Sequence, residues 1–216
     1  MLPFTHAQFI EVFAHYNENV WPAQLVAYLL AVAMLAAIAL PWRHSGRFVI
    51  VGLALMWLWT GVAYHGIHFS AINKAAYLFA VLFVVQALLL LRGALAESLR
   101  FGGTGKAASY LGWALVAYAA MLYPLLGLWL GQPLAALPMF GITPCPVTIF
   151  TFGVLLLADA PVCRWLLVVP VLWSLIGGSA AVLLRVPQDW VLLLCGLTLF
   201  ILLPRRAPHA RAAVSG

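Results

Sequence analysis

The chain has 216 residues, of which 66% are hydrophobic and 7% charged, with a formal net charge of +6. So little charge cannot coat a water-soluble domain of this length, which leaves lipid as the solvent for most of the surface. The positive balance does not indicate a nucleic-acid partner, because the charges sit in short segments between apolar runs, as topology determinants do. Three cysteines, Cys145, Cys163 and Cys195, are far apart and make neither a metal-ligand spacing nor a disulfide framework.

Residues 2–19 precede the first long apolar run. They lack the basic n-region of an ordinary signal peptide. Thr5 followed by Gln8 reads as a capping box. Phe9, Val12, Phe13 and Tyr16 then recur at helical spacing, with Glu11, His15 and Glu18 on another face. The expectation is a short amphipathic helix over 1–19, lying at the membrane surface.

A spanning helix needs about 20 apolar residues. Seven segments approach this length: 21–41, 48–68, 75–92, 109–130, 146–160, 165–184 and 190–204. They form one polytopic domain over 1–204, all-α, with seven transmembrane helices. The fifth and seventh are short, and a six-span chain whose fifth segment dips in and out is the rival. With the N-terminus outside, Arg43, Arg47, Arg92, Arg100, Lys106, Arg164, Arg205, Arg206 and Arg211 fall on the inner side. Only Lys74 and Arg185 fall outside. That bias favours seven spans, N-out and C-in. Trp21, Trp129 and Trp190 at outer ends, and Trp42, Trp113 and Trp165 at inner ends, agree as interfacial belts. Trp57, Trp59 and Trp173 fall inside spans, where helix packing explains them. The FGGTGK stretch near 101–106 has the wrong spacing for a phosphate-binding loop and reads as a connector. The tail 205–216 is basic and Pro/Ala-rich, and reads as a disordered cytoplasmic segment near anionic lipid.

The membrane centre is nearly free of charge, so any polar site should be shallow and reached from outside. Trp57–Lys74, WLWTGVAYHGIHFSAINK, concentrates hydrogen-bonding groups against hydrocarbon. On an α-helix His65 and His68 share a face, with Tyr64 one turn before His68. Two imidazoles so placed could ligate one metal or hold one anionic ligand. Glu11, His15 and Glu18 form a second stripe. If the surface helix folds over the second span, the two stripes meet in a donor set suited to a transition metal such as zinc. The bland alternatives are headgroup-level histidines and a solvated carboxylate face. Cys145, in Pro144-Cys-Pro146, stands near a helix N-cap, which favours a reactive or ligating thiolate; a rigid turn into a helix is the equal alternative. Asn73 and Lys74 open the third span, Lys74 either snorkelling to headgroups or meeting an anion.

The strings FAHYNENVWPAQ, WLWTGVAYHGIHFSAINKAAYLF, YPLLG and PCPVTIFTFGVLLLA resemble a family of bacterial multi-pass membrane proteins of unknown function, from residue 4 to about 160. The resemblance implies a bacterial inner-membrane location and transfers no activity or functional residue. Two other seven-span groups do not fit. The zinc hydrolases related to alkaline ceramidases carry a late His-x-x-x-His, and retinal proteins a lysine in the last span; WVLLLCGLTLFILLP has neither.

The expectation is therefore binding or transport of a small ligand or metal ion at a His/Tyr/Cys/carboxylate site on the periplasmic side. His65, His68 and Tyr64 form its centre, with Glu11, His15, Glu18, Cys145, Asn73 and Lys74 around them. A membrane-embedded metal-dependent enzyme, with a metal-bound water as nucleophile and Glu11 or Glu18 as base, is the alternative. A structural subunit of a larger membrane complex is the third, and a homo-oligomer is compatible with each.

Overall fold

The computed structural model describes residues 3–96, 99–102, 107–159 and 162–202. The tail 205–216 and most of the FGGTGK stretch lie outside these residues. Among the described residues nine α-helices run in chain order: α1 (His6–Asn19), α2 (Ala23–Ala39), α3 (Ser45–Trp59), α4 (Ala76–Ala96), α5 (Ala107–Ala117), α6 (Tyr123–Trp129), α7 (Pro144–Leu156), α8 (Trp165–Leu184) and α9 (Trp190–Leu202). No strand occurs among the described residues, only one isolated antiparallel bridge between Phe101 and Ala158.

Helices cover all seven apolar segments, but their lengths differ. Ser45–Ala71, Ala76–Leu95, Ala107–Trp129 and Trp165–Leu184 are each long and apolar enough to cross a bilayer. α1 and α2 reach that length only as a pair, and they are bent by 80° at the break. α7 is a 13-residue apolar helix, about 20 Å long at 1.5 Å per residue.

α7 is also the hub. Every residue from Pro144 to Leu156 is buried except Cys145, which is half-buried. A helix that is apolar all round is stable only when other helices cover every side. α3, α5, α8 and α9 do so. On the α5 side the backbones come into near contact: a Cβ built on Gly153 would meet Gly112 O at 2.8 Å, and one on Gly112 would meet Gly153 O at 2.8 Å. In lipid, where apolar burial between helices gives little driving force, such small-residue crossings supply the close packing. On the α3 side, Trp57 Nε1 donates to Thr151 Oγ1 at 2.8 Å, both groups being buried. This agrees with a packing role for Trp57.

Two long rods depart from α geometry. After Trp59 the chain continues as a π-helix over Thr60–His68 and a 3-10 turn over Phe69–Ala71. Between α5 and α6, Tyr118–Leu122 is also π-helical. The second break has a local cause. Pro124 has no N–H to give to the carbonyl four residues back, and that carbonyl, Ala120 O, instead accepts from Tyr28 OH at 2.9 Å.

α1 follows the expected capping box, with Thr5 N donating to Gln8 Oε1 at 2.8 Å and Gln8 N donating to Thr5 Oγ1 at 3.3 Å. It is more than a surface helix. Tyr16 OH donates to Ile142 O at 2.7 Å, and Asn17 Nδ2 donates to Ala135 O and Leu137 O, each at 2.8 Å. These bonds tie α1 across the α6–α7 loop, whose Ala136, Leu137, Phe140 and Ile142 are buried. The carbonyls of a buried loop need such donors.

Substituting Gly153→Val adds branches where even a Cβ would meet Gly112 O at 2.8 Å and Val116 N at 3.0 Å. Overpacking of this kind costs about 1–3 kcal/mol. The variant is expected to unfold at lower temperature than wild type in a detergent melting experiment.

Candidate functional site

α1, the end of the α3 rod, the start of α7 and the α8–α9 turn meet at one end of the bundle. They enclose a cavity of about 210 Å³. Its mouth is mostly apolar, with Phe4, Phe9, Ile10 and Leu183, and also carries the polar Asn73, Gln132 and Ser179. Its depth is aromatic and polar, with Tyr64, His65, Tyr123, Cys145, Trp173 and Asp189.

The aromatic wall is continuous. Phe13 stacks on Tyr64 at 5.3 Å between centroids, and Tyr64 stacks on Phe69 at 5.7 Å. His65 stands edge-on to Phe83 at 4.7 Å and to Trp173 at 4.9 Å. Its side chain has no exposed surface, and neither Nδ1 nor Nε2 meets a hydrogen-bond partner among the described residues. Asn17, Gln24, Gln86 and Gln188 each leave one buried oxygen without a partner, and Trp173 leaves its Nε1. His65 is the one described side chain that leaves two. A buried polar group without a partner costs about 1–3 kcal/mol.

A second polar group closes the cavity from the α8–α9 side. Asp189 is buried, and its carboxylate accepts a short hydrogen bond from Tyr123 OH. Burial raises the Asp189 carboxyl to about 6, against the hydrogen bonds that Tyr123 and Cys145 direct to its charged form. Cys145 lines the same cavity as Asp189 and Trp173. Beside it, Gln188 Nε2 donates to Gln132 Oε1 at 3.0 Å, and Gln188 O accepts from Tyr118 OH at 2.7 Å.

Four of the nine expected site residues meet here: His65, Tyr64, Cys145 and Asn73. His68 does not. The π-helix widens the turn, with hydrogen bonds five residues apart, so a spacing of three no longer stacks side chains on one face. His68 turns to a separate groove, where it lies beside Glu11 and His15. Its Nδ1 is 2.8 Å from Ala63 O, and since a carbonyl only accepts, Nδ1 carries the proton. Nε2 then accepts from Asn19 Nδ2 at 3.4 Å. The shared face expected for His65 and His68 is thus corrected, and with it their joint ligation of one metal. Glu11, His15 and Glu18 are exposed on the outer side of α1. Lys74 is also exposed, its Nζ 5.9 Å from the Tyr77 ring centroid. No group of three or more His, Cys, Asp or Glu side chains placed to hold a metal occurs among the described residues. The residues present do not fit the zinc site expected above.

His65 is wholly buried within the protein. α7 starts at Pro144 with Thr143 as N-cap, so Cys145 lies in the first turn, near the cap as expected. Asp189, Tyr123 and Trp173 went unrecognised as site residues. For Asp189 a signal existed: it is a carboxylate immediately before an apolar helix, in VPQDW. Such a position reads equally as an interfacial charge.

Asp189 makes a pH prediction. Its carboxyl is raised in the folded protein from 3.8 to about 6, so between these values the folded state binds more protons than the unfolded state. Stability then falls as pH rises from about 4 to about 6 and levels off above, by at most about 3 kcal/mol at 1.36 kcal/mol per pH unit. Melting temperatures measured from pH 4 to 8 should show this decline in wild type. Asp189→Asn should remove that part of the slope.

No curated protein and no solved structure matches the chain. One family profile, described as a family of unknown function (DUF6064), matches residues 6–213. That range takes in all nine helices, every side chain deep in the cavity and nearly the whole sequence, and the chain belongs to this family of unknown function.

Proposed function

We propose that this is a seven-span bacterial inner-membrane protein that binds a small, mostly apolar molecule in the cavity beneath α1. The ligand's single polar head, of hydroxyl or amide type, sits against His65. The observation that carries this reading is the imidazole of His65, buried among aromatic rings with both ring nitrogens unmatched. A neutral imidazole offers one donor and one acceptor, and a hydroxyl or amide head answers both. Trp173 Nε1 supplies a further donor, and the phenylalanines at the mouth suit an apolar body. An apolar pocket with a few convergent polar groups is the usual form of a small-molecule site. An organic ligand fits better than a metal ion, because His68 faces away from His65.

In this reading the cavity opens on the periplasmic side, N-out and C-in. The distribution of basic residues supports it: Arg43, Arg47, Arg92, Arg100 and Arg164 lie toward the opposite end, against Lys74 and Arg185 at the cavity end. α9 and the bent α1–α2 pair supply the outermost crossings, and α7 crosses as a short, protein-covered helix.

The binding role is tested by His65→Leu, which removes two orphaned polar atoms and keeps the volume similar. The variant should be as stable as wild type or more so, by up to about 1–3 kcal/mol. It should also lose the small molecule that mass spectrometry finds in an organic extract of the wild-type protein. A less stable variant with an unchanged extract would mark His65 as a packing residue. The orientation has its own test. In intact cells a cysteine introduced as His209→Cys should resist a membrane-impermeant thiol reagent and react only after lysis, with the three native cysteines first replaced.

A further inference from the structure

The far end of the bundle holds a second concave site, independent of the cavity. The α3 rod spans Ser45–Ala71, 27 residues, or about 40 Å at 1.5 Å per residue. His65 is near one end of it. At the other end, the α2–α3 turn, residues 99–101 and Asp159 surround a wide bowl. Three guanidinium-bearing residues line it: Arg43, Arg47 and Arg100. All three are exposed, and none makes an ion pair or side-chain hydrogen bond among the described residues. Asp159 sits at the rim and leaves the arginines in excess.

The bowl is built rather than a chance meeting of long side chains. Gly46 lets the Leu99 backbone lie directly on the first turn of α3, since a Cβ there would fall 1.6 Å from Leu99 O. The 99–102 segment is pinned on its other side, with Asp159 N donating to Arg100 O at 2.9 Å and Gly102 N donating to Leu157 O at 3.3 Å. Arg100 is thereby held across from Arg43 and Arg47. The first turn of α3 adds to the same field: its N-cap, His44, makes no side-chain capping bond, and the amides of Gly46 and Arg47 have no partner among the described residues. Helix N-termini and arginine forks both select phosphate oxygens.

The rim points to the source of the phosphate. Trp42, which lines the bowl, is 51% exposed, and Leu40 beside it is 76% exposed. An exposed tryptophan next to arginines is the arrangement found at headgroup depth, the ring at the interface and the cations among phosphates. We propose that this bowl binds the phosphate of an anionic phospholipid headgroup, with Arg43, Arg47 and Arg100 as its ligands and Trp42 against the glycerol region.

The test uses the full chain purified in a non-ionic detergent and stripped of lipid. Native mass spectrometry would measure retention of added phosphatidylglycerol and of phosphatidylcholine. Wild type should retain phosphatidylglycerol preferentially. Arg43→Gln, Arg47→Gln and Arg100→Gln combined should weaken that retention on the order of a hundredfold, from the usual contribution of a surface arginine. Arg92→Gln, which removes one charge on α4 outside the bowl, should leave it unaltered, unlike Arg47→Gln alone. The melting temperature of the triple variant checks that it is folded, and Arg47→Gln alone, with a smaller loss, serves if it is not. Equal retention by wild type and variant, or an equal loss in Arg92→Gln, would overturn the site. Calorimetric binding of inorganic phosphate, abolished in the variant and stronger than that of phosphatidylglycerol, would overturn the lipid assignment in favour of a soluble phosphate compound.

Discussion

The structure depends on covering α7 on every side. A 13-residue apolar helix has no outward face in this bundle, so its neighbours must close around it, and the Gly112–Gly153 crossing lets α5 come near enough to do so. The same requirement reaches the loop that leads into α7. That loop is buried, its carbonyls need donors, and Tyr16 and Asn17 of α1 provide them. α1 is therefore fixed over one end of the bundle by the polar needs of a loop more than a hundred residues later in the chain.

The cavity follows from this arrangement. With α1 held as a lid, Phe4 and Phe9 lie over the space between the end of the α3 rod and α8. The π-helical turn rotates His65 inward against Phe83 and Trp173 and sends His68 to the other side of Tyr64. Asp189 enters from the α8–α9 turn and is held by Tyr123. One end of the molecule thus gathers a buried carboxyl and an imidazole within an otherwise hydrocarbon-like wall. The other end gathers arginines around an open bowl. The proposed orientation, the proposed ligand cavity and the proposed lipid contact use these two ends separately.

What could be read from the sequence was what depends on near neighbours. The Thr5–Gln8 capping box, the apolar helical segments and the packing role of Trp57 rest on spacing and composition alone. The convergence of Tyr64, His65 and Cys145 is one possibility in the sequence, and in the structure all three line the cavity beneath α1. Where the structure departs from the spacing, a long-range contact or a non-α turn is the cause. The spacing of His65 and His68 implies a shared face only on an α-helix, and a π-helix removes it. Asp189 looks interfacial in sequence because its partners, Tyr123 and Cys145, are about 66 and 44 positions away. The cost of burying His65 comes from its packing among Phe83 and Trp173 with both nitrogens unpartnered, which no local spacing reveals.

The most direct test of the central claim is a high-resolution map of the protein taken from native membranes with minimal detergent exchange. Continuous density for an organic molecule is expected, running from hydrogen-bond distance of a His65 ring nitrogen, past Trp173, toward the mouth at Phe4 and Phe9. Isolated water density bonded to both His65 nitrogens, with nothing beyond it in the cavity, would contradict the account and leave His65 as a hydrated core residue.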